Sequence, residues 1–349
     1  MSKINVGIIG FGTVGAGTYE LLTKNKEIIT SRVGTDVTVK KIVDIDINSD
    51  RGVPVDQNLL TVDALDVIND PEIDIVVELI GGIEKAGEFI IEAMKKGKHV
   101  VTANKALLAE RGREIFKTAE KFGVGLGFEA SVAGGIPIIR ALRHGLCGNN
   151  IENIIGILNG TSNYILTKMT RDGLPYTQVV EEAVNLGFAE DPPTLDVNGT
   201  DAAHKLAILV SIILGYPISF NEIYREGITS LTPDDIRFAS EFGYSVKLLA
   251  IARISGDHVE ARVHPAMIPK GHILANVNEV YNAIYLEGDF VGPNLYYGLG
   301  AGRRPTGSAV VSDVMELARL IRVGQKGLLM TPLGHAHSIE KAISLQPME

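Results

Sequence analysis

The chain has 349 residues, 45% of them hydrophobic and 21% charged, and carries a formal net charge of −9. That length predicts two domains, and that apolar fraction excludes wholesale disorder. The acidic balance, with Arg303 and Arg304 as the only adjacent arginines, argues against a nucleic-acid partner, whose phosphates call for a basic stripe.

Ile4–Ile9 reads as a short apolar strand, Gly10-Phe11-Gly12-Thr13-Val14-Gly15 as a glycine-rich turn, and Thr13 to about Lys24 as a helix. Val37–Val43 is a second strand, ending at Asp44. Ile73–Ile80 is a third, stopped by Gly81-Gly82. Helical spacing follows over Lys85–Lys96, then a strand at His99–Thr102, a helix over Lys105–Phe122 and a strand at Val124–Phe128. Strands alternating with helices predict an α/β fold, a Rossmann-type doubly wound parallel sheet, over residues 1–136. After about Gly134 the pattern changes. Helices near Thr177–Leu186, Ala202–Leu214 and Ile236–Phe242, with strands at Lys247–Ile254 and Ala283–Leu286, predict a second α+β domain over 137–307. Residues 308–349 read as a returning helix, Ser308–Ile321 with Ser308 as its N-cap, packed on the first domain, and a weakly ordered tail. Leu206–Leu214, the longest apolar run, is about half a membrane span. The start shows no signal peptide, and a lone cysteine, Cys147, suits a reducing compartment. The expectation is a cytoplasmic protein with no membrane partner.

In the glycine run each glycine has a task. Gly10 makes the tight turn, Gly12 lets backbone approach a pyrophosphate, and Gly15 lets helix and strand pack closely. The helix N-terminus then offers N–H groups and a positive dipole end to the anion. Gly10, Phe11, Gly12, Thr13, Val14 and Gly15 are therefore candidate dinucleotide contacts. Asp44, at the end of the second strand, can accept from ribose hydroxyls and would repel a 2′-phosphate. Ile45, Asp46 and Ile47 follow it with no cation, which leans toward NAD and leaves NADP open. A solvated strand-end aspartate is the plainer alternative.

Asp201 and Lys205 are four apart and share a helix face. The turns that follow are apolar on all sides, as in a buried helix. Burial would lower the lysine's pKa and the aspartate would raise it, a balance that can yield a proton donor and acceptor. A surface i,i+4 ion pair fits the same spacing. The eight histidines form no metal-binding pattern. His335 and His337 are expected on a solvated terminus, and helix geometry turns His204 away from its neighbour Lys205.

Several segments together resemble the homoserine dehydrogenases. They are Gly10 to Gly15, Thr102-Ala103-Asn104-Lys105, Glu129 to Pro137, Asn159-Gly160-Thr161-Ser162-Asn163-Tyr164, Asp196 to Leu209 and Gly300 to Val310. The run Gly199-Thr200-Asp201-Ala202-Ala203-His204-Lys205 is the most specific of them. The resemblance implies NAD(P)-dependent interconversion of L-homoserine and L-aspartate 4-semialdehyde, in threonine, methionine and isoleucine biosynthesis. It makes Lys205 the proton-transfer residue, oriented by Asp201, and puts Lys105 near nicotinamide and substrate. Glu190 and Asp196 would hold the substrate ammonium, and Gly160 and Thr161 its carboxylate. Asn104, Lys105 and Gly302 would meet the cofactor. The backbone carbonyls of Glu129, Val132, Gly134 and Ile136 would bind a monovalent cation such as Na⁺. A homodimer is implied. Phe188 and Pro192 depart from the pattern, which has Tyr and Asp at those places, and put substrate affinity in question. The resemblance is to a short form without the C-terminal ACT module, so threonine inhibition through such a module is not expected.

Two other readings stay open. One is another two-domain NAD-dependent dehydrogenase acting on an amino acid or its semialdehyde; the acylating or phosphorylating type needs a cysteine nucleophile, for which Cys147 is the sole candidate. A non-catalytic NAD-binding sensor would not need Lys105, Asp201, Lys205 and Glu190 together.

Overall fold

The computed structural model describes residues 3–256, 258–324, 333–335 and 345; His337 lies outside the described residues. The chain divides into two compact units, one of residues 1–140, 215–217 and 301–341, the other of 141–214, 218–300 and 342–349.

The first unit is a six-stranded sheet in the order β3-β2-β1-β4-β5-β6. Its strands are β1 (Ile4–Ile9), β2 (Val37–Val43), β3 (Leu60–Thr61), β4 (Ile75–Glu78), β5 (His99–Thr102) and β6 (Leu126–Gly127). Every pairing in it is parallel. The strands are nearly continuous apolar runs because both faces are covered. The helices are α1 (Thr13–Lys24), α2 (Lys26–Val33), α3 (Leu65–Ile68), α4 (Glu84–Lys95), α5 (Lys105–Phe122) and α6 (Ile138–Arg140), joined by a returning helix, Arg303–Arg322. Val6, Ile8, Ile75 and Val101 share a core with Val310 and Val314 of the returning helix. That helix lies close on α1. A Cβ at Gly17 would stand 2.1 Å from the Arg303 carbonyl oxygen, and one at Gly307 2.8 Å from the Gly17 carbonyl carbon. The strand order reverses direction at β1 and β4, the place where α/β sheets of this order open a crevice at their carboxyl ends.

One boundary differs from the sequence expectation. The returning helix starts at Arg303 with Gly302 as its cap residue, not at Ser308, which lies within the helix. Gly302 takes φ 112°, a conformation open to glycine, so the chain turns there and five more residues join the helix.

The second unit is a mixed sheet in the order β12-β11-β7-β9-β10-β8. Its strands are β7 (Ile151–Ile157), β8 (Tyr224–Arg225), β9 (Tyr244–Ser255), β10 (His258–Pro269), β11 (Tyr281–Gly288) and β12 (Gly292–Leu299). All neighbours run antiparallel except β10 and β8. The helices are α7 (Gly160–Asp172), α8 (Tyr176–Asn185), α9 (Thr194–Val197), α10 (Thr200–Leu214) and α11 (Pro233–Glu241). α10 is buried along almost its whole length, from Asp201 to Ile212. Among the described residues no helix is long and apolar enough to cross a membrane.

Candidate active site

In the first unit the glycine turn has the stereochemistry that its sequence asks for. Gly10 takes φ 104°, and a Cβ there would stand 2.6 Å from the Leu79 backbone. A Cβ at Gly15 would stand 2.1 Å from the Gly10 carbonyl oxygen. A Cβ at Gly12 would meet nothing within 4 Å. Two glycines therefore let the chain fold tightly, and the third leaves open space above the turn. Gly12 is the cap residue of α1; with no side chain there to cap them, the first N–H groups of that helix are left for a ligand. This is the cradle that a pyrophosphate needs, and the residues present fit a dinucleotide.

Asp44 braces the same turn. Its Oδ2 accepts from the Phe11 N–H at 2.6 Å, and its Oδ1 from Asp46 N–H at 2.9 Å. Arg51, seven residues on, also reaches Oδ1, at 3.4 Å. The sequence showed no cation directly after Asp44; the fold brings one back. Phe11, Asp44, Asp46 and Arg51 line part of a cavity of about 330 Å³.

At the carboxyl edge of β5, Asn104 is an N-cap. Its Oδ1 accepts from Leu107 N–H and its Nδ2 donates to the Gly82 carbonyl at 2.6 Å. Lys105 is the first residue of α5 and half-buried. Beside it Glu78 ends β4, fully buried, accepting from the Thr102 hydroxyl at 2.7 Å and the Ile80 N–H at 2.8 Å. Burial pushes its carboxyl above the ordinary range, against the pull of these donors. No sequence motif marked Glu78.

The loop from Glu129 is held by its own carboxylates. Glu129 Oε1 and Oε2 accept from the Ile139 and Arg140 N–H groups, and its N–H donates to Asp313 of the returning helix at 2.8 Å. Burial, and then the neighbouring Asp313 charge, raise the Glu129 carboxyl to about 7. Ala133 and Gly134 are both left-handed. The Ile136 carbonyl already accepts from Ile138 N–H at 2.8 Å, and that of Glu129 from Val132 N–H at 3.4 Å. Among the described residues no group of three or more His, Cys, Asp or Glu could hold a metal ion.

The second unit gathers a connected polar network around α10. Lys205 Nζ donates to Asp201 Oδ2 at 2.7 Å and to the Leu158 carbonyl at 2.6 Å. Lys205 and Asp201 are 8% and 7% exposed, so the pair is buried and the surface-pair reading is excluded. Asn159 Nδ2 bridges Asp201 Oδ2 at 2.9 Å and Asp196 Oδ1 at 2.7 Å. Asn159 is also the N-cap of α7, with Oδ1 on the Ser162 N–H at 2.7 Å. Ser162 Oγ donates to the Asp196 carbonyl at 2.8 Å. Asp196 stands on α9 rather than in a loop, because Pro193 opens a one-turn helix there. Asn-Gly at 159–160 is likewise the start of a 13-residue helix and not a free turn. Gly160 is its first residue. Thr161 follows, its hydroxyl donating to the Phe188 carbonyl at 2.6 Å. Glu190 is exposed. Phe188 stacks edge-on against Tyr164 with ring centroids 5.1 Å apart, an apolar contact that a phenol would not need its oxygen to make. Asn159 and Leu158 carry no marked role in the sequence, although an Asn just before a helix is a recognised cap signal.

A Rossmann-ordered sheet with a dinucleotide cradle, and a second unit with a buried ammonium set between a carboxylate and a carbonyl, define an NAD(P)-dependent oxidoreductase. Comparison with known proteins narrows the class. A family model described as homoserine dehydrogenase matches residues 137–315, and one described as homoserine dehydrogenase, NAD binding domain, matches residues 10–129. The homoserine dehydrogenase of Pseudomonas aeruginosa is 49% identical over 321 residues, 91% of this chain and 73% of that protein. A crystal structure of the enzyme from Thiobacillus denitrificans superposes with a TM-score of 0.89 at 50% identity, covering 92% of this chain and 74% of that one. A hyperthermophilic archaeal homoserine dehydrogenase in complex with NADPH superposes with a TM-score of 0.77 at 27% identity, covering 93% and 99%. The chain belongs to the homoserine dehydrogenase family, enzymes that act on a CH–OH group with NAD(P).

Proposed function

We propose that Lys205 is the residue that moves the hydroxyl proton when this enzyme interconverts L-homoserine and L-aspartate 4-semialdehyde. The observation that carries the reading is the buried ammonium. Two of its three N–H groups are engaged, by Asp201 and the Leu158 carbonyl, and the third has no hydrogen-bond partner among the described residues. An ammonium held at two points presents its remaining proton in a fixed direction. When bound, the nicotinamide supplies or accepts the hydride. During oxidation the neutral amine of Lys205 takes the substrate hydroxyl proton and becomes the ammonium, and during reduction the ammonium gives that proton to the nascent alkoxide. Asp201 keeps the amine oriented through its 2.7 Å hydrogen bond one helical turn away. Glu190 and Asp196 hold the substrate ammonium, and Gly160 and Thr161 its carboxylate at the N-terminus of α7, where the helix dipole favours an anion.

In the first unit the turn from Gly10 to Gly15, with Asp44, Asn104, Lys105 and Gly302, holds the dinucleotide. NAD is the expected partner from Asp44, with Arg51 allowing NADP. Lys105 stabilises negative charge on the reacting oxygen. The carbonyls of Glu129, Val132, Gly134 and Ile136 bind a monovalent cation; hard oxygen ligands and the left-handed turn at 133–134 support this. A homodimer is supported by β12, an edge strand that leaves Tyr297 and Leu299 exposed. A cytoplasmic location fits the single free cysteine. The test is turnover: homoserine-dependent reduction of NAD or NADP by wild type, lost in Lys205→Ala with dinucleotide binding kept, supports the assignment. Full turnover in Lys205→Ala sinks it.

A further inference from the structure

We propose that Asn282 is a positioning residue for the Lys205 ammonium, acting through the carbonyl of Leu158. This rests on the reading of Lys205 as the proton carrier.

Asn282 lies on β11, opposite Gly298 of β12, and is 1% exposed. Its Nδ2 donates to the Leu158 carbonyl at 3.0 Å, and the same oxygen accepts from Lys205 Nζ at 2.6 Å. Leu158 stands just after β7 and just before the α7 cap Asn159. One carbonyl thus ties the proton carrier to two strands, and the two donors take up both of its lone pairs.

The other half of the amide makes the case. Asn282 Oδ1 is buried and has no hydrogen-bond partner among the described residues. An amide left half-satisfied in a packed interior costs stability relative to an apolar side chain of the same shape. The surrounding backbone is nevertheless shaped around it. A Cβ at Gly300 would stand 2.1 Å from Asn282 Nδ2, and a Cβ at Gly160 would stand 3.6 Å from its Oδ1. The start of the strand is fixed separately, by Asn163 Nδ2 on the Tyr281 carbonyl at 3.1 Å. Asn282 is therefore not needed to anchor β11, and its one side-chain bond goes to the oxygen that holds the ammonium.

Sharing that oxygen has a chemical consequence. A carbonyl that accepts two hydrogen bonds holds each donor less strongly than it would hold one. Asn282 fixes the carbonyl in place and also keeps it from clamping the charged form of Lys205. The charged groups of the network, Asp201 and Asp196, are left as they are by changes at position 282.

The experiment compares full-length wild type, Asn282→Leu and Asn282→Asp. For Asn282→Leu we expect kcat for homoserine oxidation to fall about tenfold or more, with KM for homoserine within about threefold and dinucleotide affinity unchanged by fluorescence titration. The acidic limb of the kcat–pH profile moves to higher pH, because the unshared carbonyl now favours the ammonium. Asn282→Asp keeps the shape, adds a negative charge and moves the limb further in the same direction. It serves alone if the leucine variant does not fold. Wild-type kcat and an unmoved limb overturn the proposal, as does a loss that follows melting temperature with the limb unmoved. Lys205→Ala separates the two readings. If it is inactive while the Asn282 variants behave as wild type, only Asn282 is wrong; if it is fully active, Lys205 is not the proton carrier and both fall.

Discussion

The dinucleotide cradle of the first unit and the proton network of the second are made of different materials. The cradle is backbone: Gly10 and Gly15 leave no room for a side chain, and the groups that face the opening are N–H groups of α1. The network is side chains and one carbonyl, and its bonds span 37, 42 and 47 residues of sequence. A cradle of this kind is written in six consecutive residues. A network of this kind is written nowhere in particular, because it exists only after α10 has been buried beside the ends of β7 and α9. The cradle tolerates no added atom at Gly10 or Gly15, whereas the network tolerates no lost partner.

The largest effect tests the second half of that contrast. Lys205→Ala removes the proton carrier, and general acid–base catalysis supplies roughly 10²–10⁴-fold. We expect kcat to fall by about 10³-fold while NADH binding, followed by fluorescence, stays within about twofold. A parallel loss of NADH binding would show that the two units do not divide the labour in this way.

Next comes a pH dependence in the second unit. Lys247 on β9 is buried and donates to Asn163 Oδ1 at 3.2 Å, to Asn278 Oδ1 at 3.0 Å and to the Val277 carbonyl. Burial pushes its ammonium down to about 8, with Glu279 pulling the other way. The folded pKa lies below the unfolded 10.5, so the unfolded chain binds more protons between those values and stability rises with pH there. The gain is about 3 kcal/mol from pH 8 to 10.5. It is lost again as pH falls through 8. Urea unfolding across that window should show the slope in wild type and not in Lys247→Met; equal slopes would mean that the three acceptors hold the charge at no cost.

The cradle is tested by two alanines. Gly15→Ala forces a methyl to 2.1 Å from a carbonyl oxygen, an overpacking that should destabilise the chain by about 1–3 kcal/mol. Gly12→Ala meets only open space, so stability should change by about 0.5 kcal/mol or less. It should nonetheless weaken dinucleotide binding about tenfold, because the methyl occupies the pyrophosphate's approach. If Gly12→Ala binds NADH as wild type does, the opening above the turn is not where the dinucleotide lies.

The same contrast explains what could be read from sequence. The strands from Ile4–Ile9 to His99–Thr102 were legible as apolar runs, and the strand-end Asp44 with them. The two residues of β3 were not, since Leu60–Thr61 joins the sheet only because β2 offers an open edge. In the second unit β10 hides behind Pro265, which lies beyond Arg262 and Val263, the two residues that β8 pairs, on the open stretch of that strand. α7 begins Gly-Thr-Ser-Asn, weak helix formers that read as a turn until Asn159 is seen to cap them. Asp201 and Lys205 could be paired by counting four residues. Asn159 and Leu158 could not be joined to them, since they stand 42 and 47 residues away, and Asn282 reaches the network only across the 124 residues that separate it from Leu158.

The smallest effect concerns Arg51, where the fold alters what the sequence near Asp44 suggested. Asp44 has one oxygen committed to the Phe11 N–H, so Asp44→Ala removes a brace of the glycine turn along with a ribose acceptor. NADH and NADPH should both bind more weakly to it. Arg51 is different. Its guanidinium stands 3.4 Å from Asp44 Oδ1, with 28% of its side chain exposed. It neutralises part of the repulsion that Asp44 would exert on a 2′-phosphate and can itself pair with that phosphate. A half-buried single contact of this kind contributes about 1 kcal/mol, so Arg51→Ala should weaken NADPH binding about fivefold and leave NADH within about twofold. Titrating both dinucleotides against the two variants gives the ratio directly. An unchanged NADPH-to-NADH ratio in Arg51→Ala would leave Asp44 as the sole reader of the ribose, and selectivity would then be set by the turn that the glycine motif already marks.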